Sequence, residues 1–157
     1  MVCRELAKFP GRNRKKKMDP SSISVREAVS SDAEAVFQFL RPFMEAKFLL
    51  HRTIDEIAKL TEHGFLAERE TKEVAGFAAI EIYSRKMAEI QCLAVAPDCQ
   101  GKGIGKQLVS HCVERGRQLS VCEIMAITAN ENLFQQCGFD YSLPNQKRAL
   151  FIQTQDP

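Results

Sequence analysis

A chain of 157 residues, 45% hydrophobic and 27% charged, has the size and balance of one soluble domain around one core. No stretch approaches the roughly 20 apolar residues that cross a bilayer. The N-terminus also lacks the apolar run and small-residue cleavage site of a secretory signal, so none is expected. The formal net charge of +2 hides an asymmetry: residues 1–24 hold seven basic and two acidic residues, against 15 and 18 in the remainder. The basic excess, chiefly Arg12, Arg14, Lys15, Lys16 and Lys17, reads as a solvated tail over residues 1–22. Nucleic-acid binding by this tail is not expected, and Met18 offers a second start. Residues 23–157 are expected to form one domain.

The elements follow in chain order. Ile23 to Ala28 alternates apolar and polar, as a half-buried strand does. Ser30, Ser31 and Asp32 offer N-cap chemistry for a helix with Ala33, Val36, Phe37, Leu40 and Phe43 on its apolar face and Pro42 near its end. Thr53-Ile54-Asp55-Glu56 is a capping-box pattern and opens a second helix that stops before Gly64. Strands follow at Phe65–Arg69, Val74–Ile82 and Met87–Val95, separated by polar turns, and Pro97 ends the last of them. A glycine-rich turn, Gln100-Gly101-Lys102-Gly103-Ile104-Gly105, leads into a helix from about Gly103 to Leu119. Val121–Thr128 reads as a strand, Asn130–Cys137 as a short helix, Gly138–Tyr141 as the start of another strand, and Leu150–Gln153 as a last one. The pattern is a mixed α/β domain.

Six cysteines, Cys3, Cys92, Cys99, Cys112, Cys122 and Cys137, form no C-x-x-C pair and no cluster with zinc-ligand spacing. No metal is expected. Several fall at core positions, which suits reduced thiols acting as small hydrophobes and favours a cytoplasmic compartment.

The glycine turn suits a phosphorylated ligand. It precedes a helix start, where unpaired N–H groups and the macrodipole attract anions. Lys102 and Lys106 add countercharge. A Walker A loop is excluded, because Gly101 to Gly105 is one residue short and Gln107 replaces the hydroxyl that binds magnesium. A dinucleotide fingerprint fails too, since Leu108 stands where its third glycine should be. A purely structural turn remains the plain alternative.

Val95-Ala96-Pro97-Asp98-Cys99-Gln100-Gly101-Lys102-Gly103-Ile104-Gly105 resembles the V-x-P-x-x-[QR]-x-x-G-x-[GA] signature of the GNAT superfamily of N-acetyltransferases. The flanking strand and helix, and the late Cys137-Gly138-Phe139, fit the same family over roughly 130 residues. The resemblance implies a mostly antiparallel sheet with a splayed strand pair, flanked by helices, and acetyl-CoA as co-substrate. It implies that main-chain groups of Leu93, Ala94 and Val95 pair with the pantetheine arm. Main-chain N–H groups of Gln100, Gly101, Lys102, Gly103, Ile104, Gly105 and Lys106 would hold the pyrophosphate. Asn130 is either a contact to coenzyme A or the N-cap of the short helix.

Acetyl transfer needs a neutral amine and hence a base. In the strand Met87 to Val95, residues 89, 91, 93 and 95 are expected to share one face, which places Glu89 on the face of the strand end where transfer would occur. A backbone N–H on this strand, best that of Leu93, would polarise the thioester carbonyl. Phe134 stands where many members of the family carry a tyrosine that protonates the leaving thiolate. The wider sequence is similar to the acetyltransferase domain of bacterial N-acetylglutamate synthase, in Leu40-Arg41-Pro42, Leu49 to Thr53, Ala88 to Val95, Leu143-Pro144 and Lys147 to Phe151. That branch implies Glu89 as base and Arg52 as a contact to the acceptor's carboxylate. Ala129 and Gln155 replace arginines of that branch, so the acceptor implied is an amino acid or other small carboxylate-bearing amine, not glutamate in particular. A peptide or protein N-acetyltransferase and a non-catalytic acyl-CoA sensor stay open as alternatives. So does the oligomeric state, a homodimer included.

Overall fold

The computed structural model describes residues 23–141. It forms β1 (Ile23–Glu27), α1 (Ala33–Glu45), α2 (Ile54–Leu60), β2 (Gly64–Arg69), β3 (Val74–Ser84), β4 (Met87–Val95), α3 (Ile104–Gln118), β5 (Glu123–Met125) and α4 (Glu131–Gln136). The five strands lie side by side in chain order, antiparallel from β1 to β4, with β5 parallel to β4. The expected strand at Leu150–Gln153, the basic tail and Gln155 lie outside the described residues.

Period-two alternation divides the sheet's side chains between two cores. On one face Ala78 and Ile80 of β3 meet Ile104, Leu108, Val109 and Cys112 of α3. On the other, Phe77 and Ala79 meet Val36, Leu40 and Phe43 of α1 and Ile57 and Leu60 of α2. Helices thus cover both faces of a mostly antiparallel sheet. All five described cysteines are free, and Cys92, Cys99 and Cys112 are buried as expected of small hydrophobes.

Local chemistry explains the helix starts. Thr53 Oγ1 accepts from the Glu56 N–H at 3.3 Å, and Glu56 Oε2 accepts from the Thr53 N–H at 2.7 Å, which completes the capping box read from the sequence. The start of α1 differs from expectation. Asp32 makes no side-chain cap; its carboxylate accepts from the Val29 N–H at 2.8 Å and from two nitrogens of Arg26 at 2.7 and 2.9 Å. The guanidinium holds the Asp32 carboxyl below its ordinary range. Pro42 lies within the last turn of α1.

Three expectations need correction. Val121–Thr128 is a strand only over Glu123–Met125, because β5 pairs with β4 no further than Glu89. Gly138–Tyr141 does not start a strand. Gly138, at φ +90°, ends α4, with Gly138 N–H bonded to Gln135 O and Phe139 N–H to Phe134 O, both at 3.0 Å. The Phe139 ring then meets Phe134 edge-on at 5.2 Å. This is a Schellman stop with its usual hydrophobic contact.

The third correction concerns β4. Cys92, at φ +56°, forms a bulge: Phe77 pairs with Ala94 and Ala79 with Gln91, so two residues of β4 oppose Ala78 alone. The bulge reverses the alternation. Ala88 and Ile90 face α3 before it, while Leu93 and Val95 do so after it. Residues 89, 91, 93 and 95 therefore do not share one face. Glu89 and Gln91 project toward α1 and α2, together with Cys92 and Ala94.

Candidate active site

The glycine turn sits between the end of β4 and the start of α3. A short turn of 3-10 helix, Pro97–Cys99, follows β4, and buried Cys99 anchors it. Arg69 Nη2 reaches both carboxylate oxygens of Asp98 at 2.9 Å and ties this turn to the end of β2. Gln100 Nε2 donates to the Val95 carbonyl at 3.0 Å. Gly101 and Gly103 hold φ of +74° and +82°, a region that L side chains rarely adopt. No described atom lies within 4 Å of where a side chain would begin on either glycine, so the backbone is open to a ligand there. Gly103 is the N-cap of α3, and the N–H groups of Ile104, Gly105 and Lys106 lie in a first turn that has no intrahelical acceptors for them. The chemistry fits a pyrophosphate, and Lys102 and the exposed Lys106 flank it with positive charge. Gly105 is different: a side chain there would meet Leu133 at 3.5 Å and Val95 at 3.7 Å, ordinary packing of α4 on α3.

Beyond Glu89, β4 has β3 on one side and no described strand on the other. This is the splay, and it leaves main-chain groups for an extended ligand arm. The ladder narrows which residues supply them. The Ala96 N–H bonds to the Ala75 carbonyl at 2.8 Å, so by alternation Ala94 also points its main chain at β3. Leu93 and Val95 point theirs into the splay, and Ala94 is not one of the free strand residues.

Asn130 caps α4 by accepting from the Leu133 N–H at 3.3 Å, and its own N–H donates to Thr128 Oγ1 at 2.9 Å. Leu133, one turn on, packs toward Gly105, so α4 stands beside the start of α3. Phe134 is 6% exposed and belongs to the core on the α3 face. Ala129 is exposed in the loop before α4.

The second group of residues lies on the α1 and α2 face of the sheet. Glu89 is 8% exposed and directly opposite Glu81 of β3. Arg52 precedes the capping box, with its N–H bonded to Met44 Sδ at 3.2 Å and its side chain 17% exposed. Its guanidinium reaches Glu56 at 3.7 Å and Glu81 at 3.9 Å, and donates to Gln91 Oε1 at 3.1 Å. Gln91 Nε2 in turn donates to Tyr83 Oη at 3.3 Å, and Tyr83 donates to Glu89 Oε2 at 2.5 Å. Sequence reasoning found Glu89 and Arg52 but missed Tyr83, Gln91 and Glu81, which join them. The hairpin at Ser84-Arg85-Lys86 would have placed Glu81 opposite Glu89. Tyr83 is harder to find, because it is an extra residue in β3 between the pairs Ile82–Ala88 and Ser84–Met87.

Cys92 lies close to this cluster, and burial pushes its thiol up to about 11. It stays a neutral thiol near pH 7 and is a poor acyl carrier.

The family model for the acetyltransferase (GNAT) family matches residues 29–139. An amino-acid acetyltransferase of Edwardsiella ictaluri is 27% identical over 136 residues, covering 83% of this chain and 31% of that protein. An uncharacterized N-acetyltransferase of Chlorobaculum tepidum is 30% identical over 122 residues, covering 78% of each. Among solved structures, N-acetylglutamate synthase from Neisseria gonorrhoeae, complexed with coenzyme A and N-acetyl-glutamate, is similar at a TM-score of 0.65 and 28% identity, over 73% of this chain and 27% of that one. Rv2747 from Mycobacterium tuberculosis, in complex with CoA and the ligand NLQ, is similar at 0.67 and 26%, over 73% and 70%. The chain spans about a third of the length of the amino-acid acetyltransferases it matches. With the splayed β4, the glycine turn and α3 all inside the matched span, the chain belongs to the GNAT acetyltransferase family.

Proposed function

We propose that the chain transfers the acetyl group of acetyl-CoA to the amine of an amino acid or similar small carboxylate-bearing acceptor, by direct attack in a ternary complex. One observation carries this reading. A single strand, β4, leads into an open glycine turn at its end, turns the main chain of Leu93 and Val95 into the splay, and bears Glu89 on the face that also holds Arg52. From Glu89 to Val95 is roughly 20 Å of extended strand, enough to separate a phosphate-holding end from a reacting end. The amino-acid acetyltransferases among the relatives support the acceptor class.

The steps balance without an enzyme-bound acetyl group. The acceptor enters as an ammonium and gives one proton to Glu89, which passes it to solvent. The neutral nitrogen attacks the thioester carbon; a C–N bond forms, the C–S bond breaks, and the Leu93 N–H faces the carbonyl oxygen as charge develops. The nitrogen's remaining surplus proton ends on the departing sulfur. Phe134 has no proton to give, and a thiolate with a pKa of about 8.5 can leave unprotonated and receive that same proton through water. Arg52 meets the acceptor's carboxylate in place of its long contacts to Glu56 and Glu81.

Arg52→Ala tests the acceptor. On amino acids kcat/KM is expected to fall about tenfold to a hundredfold, mainly through KM, as loss of one charge-assisted pair implies. An unchanged rate on amino acids, with peptides acetylated instead, would replace this reading by peptide acetylation. Tight acetyl-CoA binding with no product from any amine would replace it by a sensor.

A further inference from the structure

Two side chains, Gln91 and Tyr83, join Arg52 to Glu89, and each hydrogen bond has one possible direction. A guanidinium only donates, so the Gln91 atom 3.1 Å from Arg52 Nη2 is the oxygen. The Gln91 amide nitrogen is then the atom 3.3 Å from Tyr83 Oη, and it donates. That leaves the single Tyr83 proton for Glu89 Oε2, at 2.5 Å. Every donor in the series points toward the carboxylate, and among the described residues no hydrogen bond reaches Glu89 Oε1. The bulge in β3 aims Tyr83 at Glu89. Partial burial and the bond to Glu89 push the Tyr83 phenol up to about 12, with the residue 51% exposed. The phenol therefore stays a donor throughout the neutral range.

The described residues place these groups around Glu89. Across β3 it faces Glu81 and Tyr83, and on its own strand Gln91. From the entry to α2 come Arg52, which reaches Gln91 and Glu81, and Glu56, which pairs with Arg52. Its partner on β5 is Met125, with exposed Glu123 two residues away. The buried face of α1 brings Val36, Leu40, Phe43 and Met44, none of them titratable. Tyr83 is the one described donor bonded to the carboxylate.

We infer that Tyr83 and Gln91 are positioning residues: they form a directed relay that couples the acceptor-binding Arg52 to the base Glu89, fixing one carboxylate oxygen and presenting the other to the amine. The inference rests on the roles proposed above for Arg52 and Glu89. It also links the two halves of the reaction, because an acceptor carboxylate on Arg52 holds the guanidinium that orients Gln91.

The test is acetyl transfer by Tyr83→Phe, with kcat and KM read separately. Removing the hydroxyl takes away the described donor to Glu89 Oε2, so kcat is expected to fall about tenfold, with acetyl-CoA affinity and acceptor KM nearly unchanged. Gln91→Leu should lower kcat by less. A merely structural role would raise acceptor KM and lower the urea midpoint along with kcat. Wild-type kcat in Tyr83→Phe would overturn the relay, provided Glu89→Gln is inactive. Full activity of Glu89→Gln would instead remove the base, and the relay with it.

Discussion

Gly103→Val puts the reading of the glycine turn at greatest risk. Gly103 holds φ +82° as the N-cap of α3, with no described atom within 4 Å of a side chain placed there. A β-branched residue is strained in this conformation by about 1–2 kcal/mol, and more when the side chain is stiff at χ1. In the free protein the turn relaxes toward negative φ and rotates its N–H groups away from their common focus. Binding must restore the original conformation, so the strain appears in the affinity for coenzyme A. Since 1.4 kcal/mol is a factor of ten, the expected loss is at least about fivefold to thirtyfold. The Val side chain also occupies the space through which the ligand approaches, which adds to the loss. Calorimetric titration with coenzyme A reads the affinity, and a urea midpoint checks that the fold is intact. Two companions separate the causes. Gly103→Asn tolerates positive φ, so it should keep stability and lose affinity through obstruction alone. Gly105→Ala meets only ordinary contacts at 3.5 and 3.7 Å and should bind within about twofold of wild type. Wild-type affinity in Gly103→Val would mean that the pyrophosphate is held elsewhere.

Two further perturbations follow from the ion pairs. The Asp32 carboxyl is held down by Arg26, so its contribution is fully present above the ordinary aspartate value near 3.9 and fades as pH falls through its lower folded value. Asp32→Asn should therefore lower the urea midpoint at pH 7 and converge on wild type in strong acid; a deficit that persists undiminished at low pH would contradict this. Arg69 and Asp98 hold the turn ahead of the glycines, so Arg69→Met and Asp98→Asn should each weaken coenzyme A binding, and the double variant should lose less than their sum. Strict additivity would show that the pair does not act as a unit.

What the sequence made legible is what local chemistry decides. Thr53 and Glu56 reveal their capping box by spacing alone. The turn from Gln100 to Gly105 announces itself because positive φ at Gly101 and Gly103 demands glycine. The face of Glu89 was misread for the converse reason. Cys92 adopts φ +56° without being glycine or asparagine, so nothing in the residue type signals the bulge, and a strict alternation fails beyond it. Tyr83 was hidden by a second bulge of the same kind. The length of β5 was overread because its apolar residues continue past Met125, although pairing with β4 stops where the splay begins. Gly138 reads as a strand start by pattern, but its positive φ and the return of Phe139 to Phe134 make it a helix stop. In each case the deciding contact joins residues that a linear pattern does not relate.

Acetyl transfer from β4 is tested most directly by mass spectrometry of reactions containing acetyl-CoA and a panel of amino acids, polyamines and peptides, run with wild type and with Glu89→Gln. The wild-type protein should add one acetyl group to the amine of one or more amino acids. Glu89→Gln should bind acetyl-CoA with wild-type affinity and lose that product. Acetylation at the wild-type rate by Glu89→Gln, or no acetylated amine from the wild-type protein, would contradict the account.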